Sequence, residues 1–202
     1  EEAIADLEPL VQMKDLPLSL SGLLLFDLRP SGRYMQVTAA LMMAEKAKDD
    51  ARTAAPKKAK ALREQLVTEL GKTDTRVQLV DGKLALLGGD YAEARKLLST
   101  YTAARGEDAE AVRLLAQVLT RQNNTGGAMQ QWKRLTEMDP TNGEACLMRA
   151  ETQSAIQDRA GAITSLRRAE VLLPGVAEIT KRRQMMENLQ AGVQATDPIL
   201  KA

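Results

Sequence analysis

One interval recurs through the middle of the chain. The step from Ala94 to Ala128 leads on to Ala162, and the step from Leu98 to Trp132 leads on to Leu166. Taken from Leu135 it lands on Tyr101 and Ala169, from Pro140 on Gly106 and Pro174, and from Ala116 on Gly82 and Ala150. A unit of that length carries an apolar face that it can bury only by stacking on its neighbours, so the period points to a stack of similar units.

Each copy divides into two helical patterns. In residues 109–142, Val112, Leu115, Ala116 and Leu119 recur at helical spacing. The turn Asn123–Asn124–Thr125 follows, rich in residues that accept unusual backbone angles. A second stripe holds Ala128, Trp132 and Leu135, and Asp139–Pro140 closes it, because the residue before proline is pushed out of the helical region. The corresponding turns are Leu87–Gly88–Gly89–Asp90–Tyr91 in residues 75–108 and Gln157–Asp158 in residues 143–176.

These residues resemble the tetratricopeptide repeat (TPR) family, whose 34-residue unit reads W-x2-L-G-x2-Y, then A-x3-F, then P. Val112, Leu115, Ala116 and Leu119 stand at the first four marks, Ala128 with Trp132 at A-x3-F, and Pro140 at the close. The resemblance covers Thr75 to Pro174. The first-helix Leu mark departs from the pattern, holding Asp81 and Arg149 in the outer copies, and the Tyr mark holds Ala85 and Gln153. Either those helix faces are rotated or another element covers them. The resemblance implies an all-α solenoid of about three stacked antiparallel helix pairs, with repeats at 75–108, 109–142 and 143–176.

A fourth copy would place Thr180, Arg183, Gln184 and Glu187 at its apolar marks, so none is expected. Instead Val176, Ile179, Met186 and Leu189 predict a solvating helix over Val176–Ala191 that closes the stack, with a frayed tail from Thr196. Residues 177–202 are thus a capping helix and tail. Residues 1–74 are an N-terminal helical region, either a divergent repeat or a cap. Within them, Tyr34, Val37, Leu41 and Ala44 mark a helix over Arg33–Arg52, and Ala59, Leu62, Leu66 and Leu70 one over Lys57–Gly71. Thr53–Pro56 is the expected break and Pro30–Ser31–Gly32 an expected turn. Ile4, Leu7, Leu10 and Val11 suggest a short helix, and Leu16–Leu28 is read as another that pairs with Arg33–Arg52.

Composition narrows the function. Aromatic residues make up 2% of the chain and there is no His, which removes His-based metal sites, Ser–His triads and His general acids. The one cysteine, Cys146, cannot build a zinc cluster and is read as a small buried hydrophobe. No phosphate-binding glycine loop is present, and the Gly88–Gly89 and Gly126–Gly127 pairs fall on inter-helix turns. The carboxylate pairs Asp49–Asp50 and Glu107–Asp108 lie in charged stretches without a pocket to tune them. We therefore expect neither an enzyme nor a cofactor. The net charge of +1, and basic runs at Lys57, Lys58, Lys60 and at Lys181–Arg183 without neighbouring aromatics, argue against nucleic acid. No apolar run is long enough to span a membrane. The chain opens on Glu, which raises the expectation of a processed or excised chain. The setting would be a bacterial periplasm or a membrane-associated site after signal removal, with the cytoplasm as the alternative.

By the resemblance, a protein or peptide partner binds in a concave groove lined by first helices. The marks concerned are Leu79, Val80, Lys83, Leu86 and Leu87, then Arg113, Leu114, Gln117, Thr120 and Arg121, then Leu147, Met148, Glu151 and Ser154. The subclass that grips a terminal carboxylate places Lys, Asn and Arg at set marks. Here Leu79 and Met148 occupy two of them, with basic residues only at Lys83 and Arg113 nearby, so that ligand is not expected. Apolar side chains at solvent-facing marks need a cover. It is either an apolar or amphipathic segment of a partner, or Leu16–Leu28 folded back. The chain then reads as an interaction scaffold in a multi-protein assembly, with a bacterial envelope, secretion or pilus-type system in view. The alternatives are an adaptor shielding an apolar client and a regulatory module of a larger protein. Trp132, the single Trp, is expected to be a structural peg.

Overall fold

The computed structural model describes residues 31–44 and 51–196. All regular structure among the described residues is helical. Helix α1 covers residues 31–44. It is followed by α2 (Ala51–Leu70), α3 (Thr75–Leu87), α4 (Tyr91–Ala104), α5 (Ala109–Arg121), α6 (Thr125–Met138), α7 (Gly143–Ala155), α8 (Arg159–Leu172) and α9 (Ala177–Thr196). Helices α3, α5, α7 and α9 begin at positions 75, 109, 143 and 177, one repeat step apart. The chain divides into two compact units, Glu1–Tyr101 and Thr102–Ala202.

The repeat register is also a register of caps. Asp74, Asp108 and Asn142, separated by the same step, cap α3, α5 and α7 by accepting from the amides of Arg76, Ala111 and Ala145 at 2.8, 3.1 and 2.9 Å. Asp90, Asn124 and Asp158 do the same for α4, α6 and α8, accepting from Glu93, Gly127 and Gly161 at 3.1, 3.0 and 2.9 Å. The residue before each of these caps is left-handed: Gly89 at φ 79°, Asn123 at 56° and Gln157 at 63°. In that geometry the amides of Asp90, Asn124 and Asp158 reach back to the carbonyls of Ala85, Leu119 and Gln153 at 3.0, 2.9 and 2.9 Å. The first helix of each pair is closed and the second opened by one tight turn of fixed shape.

The marks found by the repeat step are the core. Ala94, Ala128 and Ala162 are at most 1% exposed, and Leu98, Trp132 and Leu166 at most 3%. Trp132 is fully buried, and its indole N–H donates to Thr120 Oγ1 at 3.3 Å, so its one polar atom has a partner across the helix pair. At the small-residue mark, a Cβ on Gly82 would lie 2.8 Å from the Leu98 side chain, which explains why that copy carries glycine there.

The departures from the pattern have polar partners. Arg63 of α2 donates to both carboxylate oxygens of Asp81, at 2.6 and 2.7 Å, so an element from outside the repeats covers that mark. Arg149 Nη1 donates to Thr136 Oγ1 at 3.0 Å. Gln153, 4% exposed, accepts from Ser165 Oγ at 2.6 Å and donates to Asp158 Oδ2 at 3.0 Å, steadying the residue that caps α8. A further clasp repeats as well. Arg134 donates to the Gly106 carbonyl at 2.7 Å and Arg168 to the Pro140 carbonyl at 2.8 Å, tying α6 and α8 to the loops before their own repeats.

In the N-terminal unit, Val37, Ala40 and Leu41 of α1, Ala59 and Leu66 of α2, and Val77 and Val80 of α3 form one cluster, with Tyr34, Leu62 and Leu70 packed against it. Two expectations need correction here. Helix α2 runs through Pro56 from Ala51, so Thr53–Pro56 is not a break. Pro56 is the sixth residue of the helix, so its ring forgoes one intrahelical hydrogen bond, a cost that the packing of Ala59 and Leu66 against α1 and α3 outweighs. Ser31 and Gly32 are helical rather than in a turn, and Gly32 is buried. One Gly costs a helix only about 1 kcal/mol, which packing overrides. The segments Ile4–Val11 and Leu16–Leu28 and the tail beyond Thr196 lie outside the described residues.

Helix α9 takes the chain position of a fourth first helix and closes the C-terminal unit. Its Ile179, 1% exposed, joins Cys146, Ala150, Leu166 and Ala169, with Met186 and Leu147 packed alongside. Val176 and Leu189, expected on the same stripe, are both 45% exposed. Burial raises the Cys146 thiol above its ordinary range, as befits a packing residue rather than a nucleophile. Among the described residues no helix is long and apolar enough to cross a membrane.

Candidate partner-binding face

First helices place their sequence-predicted groove residues very unequally. On α3, Val80 is fully buried in the cluster with Val37, Leu41 and Leu66, and Leu87 packs against that cluster. Leu79 is 3% exposed. Apolar marks expected to face solvent are therefore internal, and for Val80 and Leu87 the reason is that α1 and α2 pack across α3. Lys83 and Leu86 are half-buried. On α5, Leu114 is 4% exposed, another expected surface residue that is core. Arg113, half-buried, is engaged bidentately by Glu110 at 2.8 and 3.0 Å. Gln117 is half-buried and Arg121 exposed. Thr120 is occupied by the Trp132 indole and the Ala116 carbonyl.

Helix α7 keeps its expected residues accessible. Leu147, Met148 and Ser154 are half-buried and Glu151 is exposed. Arg182 of α9 pairs with Glu151 and also with Glu178, at 3.1 Å for the latter, so α7 and α9 share one face. Two residues missed by sequence reasoning complete it. Met185 and Leu189, 61% and 45% exposed, stand one repeat step after Glu151 and Ala155. The signal was present in the numbering, but it disappears once the repeat is judged only by its apolar core marks, which are polar in α9. Leu147 and Met148 precede Glu151 by four and three residues, and Met185 and Leu189 follow Arg182 by three and seven, so helical spacing sets them on the side of their helices that carries this ion pair, while Arg121 on α5 holds the mark of Leu189.

No family model and no curated protein matches the sequence. Solved structures do match the fold. One is YrrB, described as a TPR protein with an unusual peptide-binding site. It is 16% identical at a TM-score of 0.60, over 91% of this chain and 86% of that one. Another is MamA, residue 41 to the end, from Desulfovibrio magneticus RS-1. It is 14% identical at 0.63, over 79% and 86%. A third is MamA from MSR-1, 15% identical at 0.62, over 84% and 93%. The fold is that of tetratricopeptide repeats. In TPR terms, α3–α4, α5–α6 and α7–α8 are the helix pairs, α1–α2 an N-terminal helical extension and α9 the capping helix.

Proposed function

We propose that this TPR chain is a protein-interaction scaffold that docks a partner segment on the α7–α9 face of its C-terminal unit. The observation that carries the reading is the exposure of Met185 and Leu189 on the helix whose Arg182 pairs with Glu151 of α7, one helical turn from Leu147 and Met148. Leu and Met supply apolar anchors, and the ion pair between them offers a polar contact on either side. Methionine side chains adapt to varied surfaces, so a face with Met148 and Met185 also suits an adaptor that shields apolar client segments. Gln117 and Arg121 on α5, and Lys83 and Leu86 on α3, belong to the same set of first-helix marks and retain accessible surface. The description of YrrB as peptide-binding supports the class of ligand. The occupant is an amphipathic helix or an extended apolar segment, not a terminal carboxylate, because Leu79 and Met148 hold the marks that such a ligand requires to be polar.

The test is selection of binders from a displayed library of random helical and extended peptides. Selected binders should be rich in Leu, Met or aromatic anchors at helical or alternate spacing. They should be lost with Met148→Glu plus Met185→Glu and retained with Lys57→Glu plus Lys60→Glu on α2. Binders indifferent to the first pair would sink the assignment.

A further inference from the structure

Helix α9 is held in place differently from the helices before it. α5 buries seven of its residues, including Val112, Leu115 and Leu119. α9 presents Ile179 and Met186 to the cluster around Cys146 and sets charged and polar side chains against the rest of the unit. Arg183 donates to Glu170 of α8 at 2.8 Å, Arg167 of α8 donates to Glu187 at 2.8 Å, Arg182 pairs with Glu151 of α7, and Thr180 donates to Glu170. Two of these pairs are largely in water: the side chains are 66% and 28% exposed for Arg167 and Glu187, and 45% and 42% for Arg182 and Glu151. Such pairs are weak and fade as salt screens them. The link into α9 is Pro174–Gly175. Gly175 has φ +86° and nothing within 4 Å of where a Cβ would stand.

We infer that α9 is a charge-latched lid that opens as one unit, at lower free energy than unfolding of the helix pairs, and uncovers the apolar face around Cys146, Ala150 and Leu166. Ionic strength sets the latch. The device does not depend on what docks on α7 and α9, although it would remove Met185 and Leu189 from that face when open.

Hydrogen exchange of the full chain tests it. Between about 0.05 M and about 1 M KCl, α9 amides should exchange on the order of ten-fold faster while α5 and α6 amides keep their protection. Arg167→Gln with Arg183→Gln should give faster α9 exchange already at low salt and weaken the salt response, leaving only the Arg182–Glu151 pair between α9 and its neighbours to be screened. Alkylation of Cys146 by iodoacetamide should track α9 opening, with a much shallower urea dependence than global unfolding. The inference fails if α9 exchanges together with α7 and α8 at both salt levels. It fails equally if Cys146 reacts only with the urea dependence of the global transition. The salt series on the unmodified chain carries the test even where the double variant does not fold.

Discussion

Replacing Gln157 by glycine should stabilise the protein. Gln157 holds φ 63° at the turn between α7 and α8, and it is exposed. A left-handed geometry costs a residue with a side chain roughly 1–2 kcal/mol. Glycine adopts it freely but loses about 0.5–1 kcal/mol more entropy on folding. The difference favours Gln157→Gly by about 0.5–1 kcal/mol, which for a chain of this length raises the melting temperature by roughly 1–4 °C. The same turn occurs twice more and supplies internal controls. Gly89→Gln, starting from φ 79°, should destabilise by a similar amount, and Asn123→Gly, starting from 56°, should change little because Asn tolerates the region. Urea unfolding followed by helical circular dichroism reads all three. Destabilisation by Gln157→Gly, or the same sign for Gln157→Gly and Gly89→Gln, would refute the shared turn geometry.

Other substitutions probe other levels of the fold. Trp132→Ala should cost about 3–5 kcal/mol in urea unfolding, since the side chain is fully buried, and Trp132→Leu, the residue at marks 98 and 166, markedly less. Asp81→Ala leaves the Arg63 guanidinium, 20% exposed, without its bidentate partner and should cost on the order of 1–3 kcal/mol, whereas Arg63→Leu with Asp81→Leu should recover most of it. Hydrogen bonds from Thr180 and then Arg183 hold the Glu170 carboxyl below its ordinary value of 4.5. The contribution of that carboxylate is therefore complete above the ordinary value and is lost as pH falls below it. Unfolding midpoints should be flat from about pH 7 to about pH 5 and then decline, less steeply for Glu170→Gln.

How much of this is legible in the chain differs by level. The second helices are plain, because Ala94, Leu98 and their counterparts are apolar and fall on one helical stripe. The caps at 74, 108 and 142 and at 90, 124 and 158 are equally periodic, but their signal is Asp and Asn, which a search for apolar marks passes over. The buried row Val77, Ala111, Ala145 and Ile179 is hidden for a related reason, since two of its members are Ala. Asp81, Arg149 and Gln153 look like failures of the pattern until Arg63, Thr136, Ser165 and Asp158 are brought beside them, and nothing in sequence spacing pairs Arg63 with Asp81. The burial of Leu79, Val80 and Leu114 is the hardest to foresee. Whether a first-helix face is groove or core depends on what lies across it, and for Val80 that is the α1–α2 hairpin.

The docking face can be tested directly through its methionines. The chain has nine, each a separate signal when the methyl groups carry carbon-13. On titration with a library-selected peptide, the Met148 and Met185 methyl resonances should shift together and saturate at one affinity, while Met129 and Met138 on α6 stay in place. Binding that moves the α6 methyls and leaves Met148 and Met185 unchanged would contradict the account.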